Sequence, residues 1–183
     1  MRSFVSEVVN SQARIVLSPD EGETVWLRKL GVRFMIGREQ TQGNFALVEY
    51  PIGPRALAAP MHTHEREDDY TYVLVGEIGV QIGEEVLVAR PGDLVFKPRG
   101  VSHAFWNATE APARALEIIS PAGFERYFAE MAPLFPPAHQ GPLDEEAVGD
   151  VRAKYGLEMD MNSIPMLAER HGLVVDVPPR SHR

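Results

Sequence analysis

Two histidines and four carboxylates occur within the eight residues His62–Asp69, in a chain of 183 residues that has only six histidines. Residues i and i+2 of a β-strand point to the same face, so His62 and His64 are expected to face inward together, with Thr63 facing outward. Two imidazoles that converge in this way can bind a divalent metal. Taken alone the pattern is weak evidence, because a chance pair of surface histidines is the commoner explanation.

A second segment contains a third histidine at a regular spacing. It reads PGDLVFKPRGVSHAFWN and contains Gly92, Pro98, Gly100, His103 and Asn107. At average frequencies of about 7% for glycine and 5% for proline, Gly, Pro and Gly fall at three fixed places about once in 4,000 starting positions. The added requirement for His and Asn makes coincidence a poor explanation of this spacing.

The spacing resembles the second motif of the cupin superfamily. The first motif of that family reads His, one residue, His, three or four residues, Glu, six residues, Gly. Its counterparts in this chain are His62, His64, Asp69 and Gly76. Fifteen residues separate the end of this first motif from the start of the second, which is the short interval usual in small microbial cupins.

Two positions depart from the family pattern. Ala56 stands where the first motif begins with glycine, and Asp69 replaces the family glutamate. Aspartate is one methylene shorter, so its carboxylate either stops short of the metal or draws the metal toward it. Glu67 and Asp68 are alternative ligands, but Asp69 is preferred because it keeps the register with Gly76. The other three carboxylates of the segment are expected to form a solvated loop, with a polar shell around the metal as the alternative.

The resemblance implies a mainly β fold, an antiparallel cupin barrel or jelly roll of about six to eight strands with one end open, followed by short C-terminal helices. It also implies one divalent metal (Fe, Ni, Mn, Co or Zn), held by His62, His64, Asp69 and His103. Three nitrogens and one oxygen leave one or two coordination positions open, as a catalytic metal requires.

The resemblance extends from about residue 43 to about residue 131, where the chain is similar to single-domain cupins that resemble quercetin 2,3-dioxygenase. In such dioxygenases the family glutamate accepts a proton from the flavonol hydroxyl. The resemblance therefore implies that Asp69 is a catalytic general base as well as a metal ligand.

Local patterns predict where strands and helices lie. Short β-branched and aromatic segments bounded by Gly, Pro, Asn or Asp predict strands up to residue 120, and a hairpin is predicted in VQIGEEVLVARPGD. The helical spacing of Phe124, Tyr127, Phe128 and Met131 then predicts a helix after residue 121. Its apolar stripe is expected to cover the barrel mouth or a neighbouring subunit. Caps predict two further helices, which begin at Asp144 and at Asn162 or Ser163 and end at Gly156 and Gly172. We therefore predict a β-barrel domain at 1–120 and a helical extension at 121–183.

Several side chains near the predicted site allow two interpretations. Phe105 shares the inward face with His103 and either lines a substrate pocket or packs in the core, whereas Trp106 is expected to face outward. Glu49 is a possible pocket carboxylate, although exposure at a sheet edge is favoured. None of His139, His171 and His182 has a partner at ligand spacing.

Composition limits the partners and the compartment. A net charge of −8 argues against nucleic acid and anionic membrane as partners. The absence of cysteine excludes disulfides, thiolate metal ligands and a cysteine nucleophile. With neither a signal-peptide pattern nor an apolar run of about 20 residues, a cytoplasmic protein is expected. A homodimer is expected because the strand edges of a small barrel need covering.

Three functions follow from this pattern. The first is a metal-dependent, dioxygenase-like oxidoreductase that acts on a small aromatic or flavonoid-like oxygenated substrate. The second is a non-catalytic cupin that binds a small molecule or a metal, which the replacement of Glu by Asp69 slightly favours. The third is a cupin isomerase. It ranks last because anionic substrates need Arg or Lys, and the predicted barrel strands contain almost none.

Overall fold

The computed structural model describes residues 16–135 and 143–175, and these contain eleven strands, three α-helices and one 3₁₀-helix, Ala132–Leu134. The strands are β1 (Thr24–Leu27), β2 (Leu30–Ile36), β3 (Ala46–Ile52), β4 (Ala56–His64), β5 (Asp68–Val75), β6 (Ile78–Ile82), β7 (Glu85–Ala89), β8 (Leu94–Lys97), β9 (His103–Asn107), β10 (Ala113–Ser120) and β11 (Leu157–Met159). The helices are α1 (Glu125–Met131), α2 (Glu145–Lys154) and α3 (Ser163–His171). His139 and His182 lie outside the described residues.

The strands form two antiparallel sheets that pack face to face. One sheet has the order β1-β2-β3-β10-β5-β8, and the other has the order β11-β4-β9-β6-β7. This arrangement confirms the predicted mainly β jelly roll with short C-terminal helices. In the part of the chain that the structure describes, no helix combines the length and the apolar character that a membrane crossing requires.

The C-terminal segment adds a strand that the sequence patterns did not predict. β11 pairs antiparallel with β4, so that Leu157 lies opposite His64 and Met159 lies opposite His62. Three residues are too few to show a strand period, which explains why this strand was missed. The extension is thus part of the five-stranded sheet, while the division of the chain into two domains stays a prediction.

The main core fills the space between the two sheets. β10 shows why these residues form such a strand, because its side chains alternate between buried and less buried positions. Its inward positions are Ala113, Ala115, Glu117 and Ile119, all 0% exposed. Three of them are apolar and the fourth is a carboxylate, so one charged group is placed in the interior of the barrel.

A second, smaller core lies on the outer face of the five-stranded sheet. Trp106 packs there against Leu167 and Leu173, and its indole stacks on the His171 ring at 4.1 Å. Trp106 therefore points away from the barrel interior as predicted, yet it is buried because α3 covers that face. His171 belongs to this packing.

Gly79 makes this outer layer possible. It lies opposite Trp106 in the pairing of β6 with β9, and a Cβ on Gly79 would overlap the indole. We expect Gly79→Ala to lower the free energy of unfolding by about 1–3 kcal/mol through overpacking. Urea denaturation measures this change. Gly83→Ala is the comparison variant, because a Cβ on Gly83 meets no atom within 4 Å, so only its positive φ of 56° opposes the substitution. A loss at Gly79 no larger than about 0.5 kcal/mol would contradict the packing.

Glu49 corrects the expectation of an exposed edge carboxylate. β3 lies between β2 and β10, so Glu49 is interior to its sheet and is 8% exposed. Its carboxylate pairs with Arg33 at 2.7 Å and with Arg114 at 3.3 Å. These neighbours come from the flanking strands, which sequence spacing alone does not identify.

Candidate metal centre

Strand register brings the three predicted histidines together. His62 and His64 alternate along the end of β4, and His62 lies directly opposite His103 in the pairing of β4 with β9. The ring centroids are 4.2 Å apart for His62 and His103, 5.0 Å for His62 and His64, and 5.5 Å for His64 and His103. All three are buried, and one ligand nitrogen from each lies within 4.8 Å of the others. The structure therefore places these three side chains in one cluster.

Backbone hydrogen bonds orient two of these rings. Nδ1 of His62 donates to the Pro60 carbonyl at 2.8 Å, and Nδ1 of His103 donates to the Val101 carbonyl at 3.0 Å, with the tautomers assigned from these contacts. In a neutral imidazole this leaves Nε2 with a free lone pair, and His103 Nε2 is buried without a hydrogen-bond partner among the described residues. A carbonyl that holds the second nitrogen is the usual support of a metal-binding histidine. The residues present thus fit a divalent metal.

Burial keeps the His62 and His103 imidazoles neutral. It lowers the pKa of His103 to about 3, with the nearby Lys97 ammonium as a further cause. Burial also lowers the pKa of His62 well below its ordinary value, and His103 and His64 add to this effect. Neutral imidazole is the form that donates a lone pair to a metal.

Asp69 approaches the cluster from the opposite sheet. It lies on β5, and its Oδ2 is 3.4 Å from His64 Nε2 and 3.8 Å from Lys97 Nζ. Its Oδ1 is buried without a hydrogen-bond partner among the residues that the structure describes. Asp69 is not one of the side chains whose ligand atoms all lie within 4.8 Å of one another. Its role as a fourth ligand stays a prediction.

The other carboxylates of the first motif differ from the expected solvated loop in one case. Glu65 is exposed, and Asp68 pairs with Arg99 at 2.8 Å. Glu67, however, is only 6% exposed, and its Oε2 lies 3.7 Å from Nδ1 of His64. The expectation is wrong for Glu67. The two-residue spacing of Glu67 and Asp69, which puts both on one face, is the signal that could have identified it.

A buried ion pair beside the histidines was also missed. Lys97 and Glu117 are 2% and 0% exposed, and Nζ of Lys97 lies 2.6 Å from Oε1 of Glu117. Thr71 Oγ1 donates to the second oxygen of Glu117 at 2.6 Å. Burial raises the pKa of Glu117 to about 7, although the Lys97 ammonium opposes this rise. The barrel interior thus contains a cation, in contrast to the expectation of almost none.

Lys97 and part of the histidine cluster line a cavity of about 680 Å³. The polar part of its lining includes His62, His64, Asp69 and Lys97, and aromatic side chains form much of the rest: Tyr50, Phe105, Phe124, Tyr127 and Phe128. Tyr50 and Phe105 stack with their centroids 5.7 Å apart, and the Phe124 ring meets the His64 ring edge-on at 4.3 Å. Phe105 therefore both lines the cavity and packs in the core, and α1 and the residue before it cover the cavity.

Comparison with known protein families agrees with this geometry. Residues 48–119 match the family model described as Cupin domain. This segment contains the three clustered histidines, Asp69 and both sequence motifs.

This segment is therefore similar to a cupin domain.

The glycines of the second motif are turn residues. Gly92 and Gly100 have φ angles of +97° and +76°, which side chains rarely tolerate. Asn107 at the end of the motif closes the following loop, because its amide donates to Ala111 O at 2.7 Å and to Gly53 O at 3.0 Å. The second motif of the cupin domain thus fixes the strand that carries His103.

Solved structures share the fold at low sequence identity. The structure of KdgF from Halomonas sp. is 20% identical with a TM-score of 0.53, and the match covers 58% of this chain and 94% of that one. A predicted oxalate decarboxylase from Thermotoga maritima is 19% identical with a TM-score of 0.54, covering 58% and 99%. The oxalate decarboxylase from Bacillus subtilis is 20% identical with a TM-score of 0.51, covering 62% and 30%. No curated protein matches the sequence.

These likenesses establish the cupin fold alone. The match over residues 48–119 supports the sequence-based resemblance to cupins, and these structures share the fold. None of these three structures is named as a quercetin dioxygenase, so that closer relationship stays a prediction.

Proposed function

We propose that this cupin-domain protein binds one divalent metal through His62, His64 and His103, with Asp69 as the neighbouring carboxylate ligand. The observation that carries this proposal is the convergence of three buried imidazoles, two of which (His62 and His64) line the cavity, with Nε2 of His103 left without a partner among the described residues. The ligand set suits Fe, Ni, Mn, Co or Zn, since imidazole binds each of them.

We further propose that the protein is a dioxygenase-like oxidoreductase. Its substrate is a small aromatic or flavonoid-like compound with an ionisable oxygen. A metal held by His62, His64 and His103 would supply Lewis-acid polarisation of this oxygen and a site for O₂. Both atoms of O₂ enter the substrate, so no external reductant is consumed.

The cavity supports this substrate class. Its volume of about 680 Å³ lies within the range of small-molecule sites. Tyr50 and Phe105, which stack on each other, line the cavity with aromatic surface, and the Phe124 ring packs edge-on against the His64 ring. Such walls bind the body of the substrate and exclude water from the polar end of the cavity.

Asp69 is the proposed proton acceptor. Its Oδ1 is buried without a partner among the described residues, while Oδ2 lies near His64 and Lys97. Oδ1 can therefore accept the proton of a substrate hydroxyl, and the two neighbours hold the other oxygen. A general base must first have access to the proton that it accepts, and the position of Asp69 at the cavity wall meets this geometric requirement.

Asp69→Asn tests this role because it keeps the shape of the side chain and removes its charge. We expect kcat to fall by about 10²–10⁴-fold when both proteins are compared at saturating metal, since loss of the carboxylate charge also weakens metal binding. Asp69→Glu, which restores the family residue, is the matched control for a retained carboxylate. Turnover of the asparagine variant at the wild-type rate would contradict the role of Asp69 as base.

A non-catalytic metal-binding or small-molecule-binding cupin is the second candidate. It is favoured by the position of Asp69 outside the group of mutually close ligand atoms. An isomerase stays the third candidate: Glu117 pairs with Lys97 at 2.6 Å, but Arg28, Lys29 and Arg152 also line the cavity. The homodimer stays a prediction.

Oxygen uptake separates the two candidates. Protein reconstituted in turn with Fe, Ni, Mn, Co and Zn is screened with flavonols and catechols, and His103→Ala is the control. A dioxygenase consumes about one O₂ per substrate with at least one metal, and the variant does not. Retention of metal without oxygen uptake with any compound of this class would favour the binding protein.

A further inference from the structure

The interior of the barrel holds a lysine that the proposed chemistry does not yet use. Lys97 lies on β8 directly opposite Asp69 on β5, and both side chains point between the sheets. A buried ammonium is costly unless it is paired and hydrogen-bonded. Its partners should therefore show what it does.

The partners of Lys97 come from two further strands: β10, which β5 separates from β8 in the same sheet, and β9 in the opposite sheet. Glu117 on β10 accepts from Nζ at 2.6 Å and is itself held by Thr71, which lies opposite it on β5. Nζ also lies 5.0 Å from the centroid of the Phe105 ring, within cation–π range. The ammonium is thus fixed in place by groups outside the histidine cluster.

Asp69 connects this fixed ammonium to the cluster. Its Oδ2 lies between Lys97 Nζ, at 3.8 Å, and His64 Nε2, at 3.4 Å. Oδ1 of Asp69 has no hydrogen-bond partner among the described residues, so the contacts of Oδ2 set the direction of the carboxylate. In the described structure, Lys97 is the one cation that an ion pair joins to this carboxylate.

We infer that Lys97, anchored by Glu117, is a positioning residue that fixes the Asp69 carboxylate at the edge of the three-histidine cluster. The inference deepens the proposed function and rests on it for the metal, but the position of Asp69 is a property of the protein without metal as well. A purely structural ion pair is the competing explanation, because well-packed apolar residues often replace such pairs without loss of stability.

The test uses a main variant that does not leave the Glu117 carboxylate unpaired in the interior. Lys97→Met alone would leave the Glu117 carboxylate without its counterion, so the main variant combines Lys97→Met with Glu117→Gln. Lys97→Arg keeps the cation, and Glu117→Gln alone keeps the lysine with a neutral anchor. Lys154→Met is the matched control, since Lys154 forms an ion pair of the same length, 2.6 Å, with Glu130 on the surface.

The first readout is the metal-free crystal structure of the wild type and the double variant. We expect the Asp69 carboxylate to move by more than about 0.5 Å in the variant while the three imidazoles stay in place. An unmoved carboxylate in a folded double variant would overturn the inference whether or not the protein binds metal.

The second readout is the visible spectrum and the affinity of the Co²⁺-loaded protein. We expect the double variant to show a shifted d–d band and about 10–100-fold weaker Co²⁺ binding, as for other residues that orient metal ligands. Lys97→Arg is expected to recover most of the affinity, and Lys154→Met to match the wild type. A wild-type spectrum and affinity in the double variant would also overturn the inference.

The two readouts separate the two proposals. Absence of Co²⁺ binding by the wild type would contradict the proposed metal site, and the crystal structures would still decide the role of Lys97. Normal Co²⁺ binding by both proteins, with Asp69 unmoved, would contradict the role of Lys97 and leave the metal site intact.

Discussion

His103→Ala is expected to weaken Co²⁺ binding by at least about a hundredfold, the upper end of the effect seen when only a supporting residue of a metal ligand is lost. The reason is geometric. His103 provides a nitrogen with no protein partner in the described structure, fixed by the bond from its Nδ1 to the Val101 carbonyl, and it faces His62 directly across the strand pair. Alanine removes this nitrogen without altering the pairing of β4 with β9. Competition titration against a chromophoric chelator measures the change.

His171→Ala is the matched control for this prediction. His171 is also an imidazole in contact with an aromatic core, but it lies beside Trp106 on the outer face of the sheet. Its loss should leave Co²⁺ affinity within about threefold, although packing against the indole is weakened. Equal losses in the two variants, or none in His103→Ala, would show that the metal is bound elsewhere. Circular dichroism establishes that both variants are folded.

Lys97→Met as a single change is expected to lower the free energy of unfolding by about 3–5 kcal/mol. It leaves the carboxylate of Glu117, which is 0% exposed, without its cation in the interior of the barrel. Combining the change with Glu117→Gln removes this unpaired charge, and we expect it to restore most of the lost free energy of unfolding. Urea denaturation with a constant m-value measures both effects.

The surface pair of Lys154 and Glu130 shows what an exposed ion pair contributes. The Lys154 side chain is 58% exposed, and we expect Lys154→Met to cost at most about 1 kcal/mol. A loss for Lys97→Met as small as that of Lys154→Met would mean that Glu117 finds another partner or takes up a proton. That result would contradict the account of Lys97 as the necessary counterion of Glu117.

The sequence predicted those parts of the molecule that depend on local patterns. The His-x-His spacing and the second motif identified the three clustered histidines, because alternation along a strand is a local property. Asp144 caps α2 as predicted, accepting from the Ala147 amide at 3.0 Å, and Gly172 ends α3 with a φ of +64°. Short-range rules decide each of these features.

The parts that were missed depend on sheet order. Lys97 and Glu117 are 20 residues apart on β8 and β10, which are separated by β5, so only the three-strand order brings them together. A lone charged residue in an alternating strand is usually an outward one, which is why neither was expected inside. The prediction that Glu49 lies at a sheet edge was wrong because the neighbours of β3 depend on strand order. Register and strand order are long-range properties that one sequence does not display.

The central claim is that His62, His64 and His103 hold one metal ion. Anomalous diffraction from crystals grown with Co²⁺, recorded on both sides of the cobalt absorption edge, tests it most directly. The account predicts one cobalt peak per chain, bounded by the three imidazoles at about 2.0–2.2 Å from a nitrogen of each. No peak among these rings at saturating Co²⁺, or a peak at another place, would contradict it.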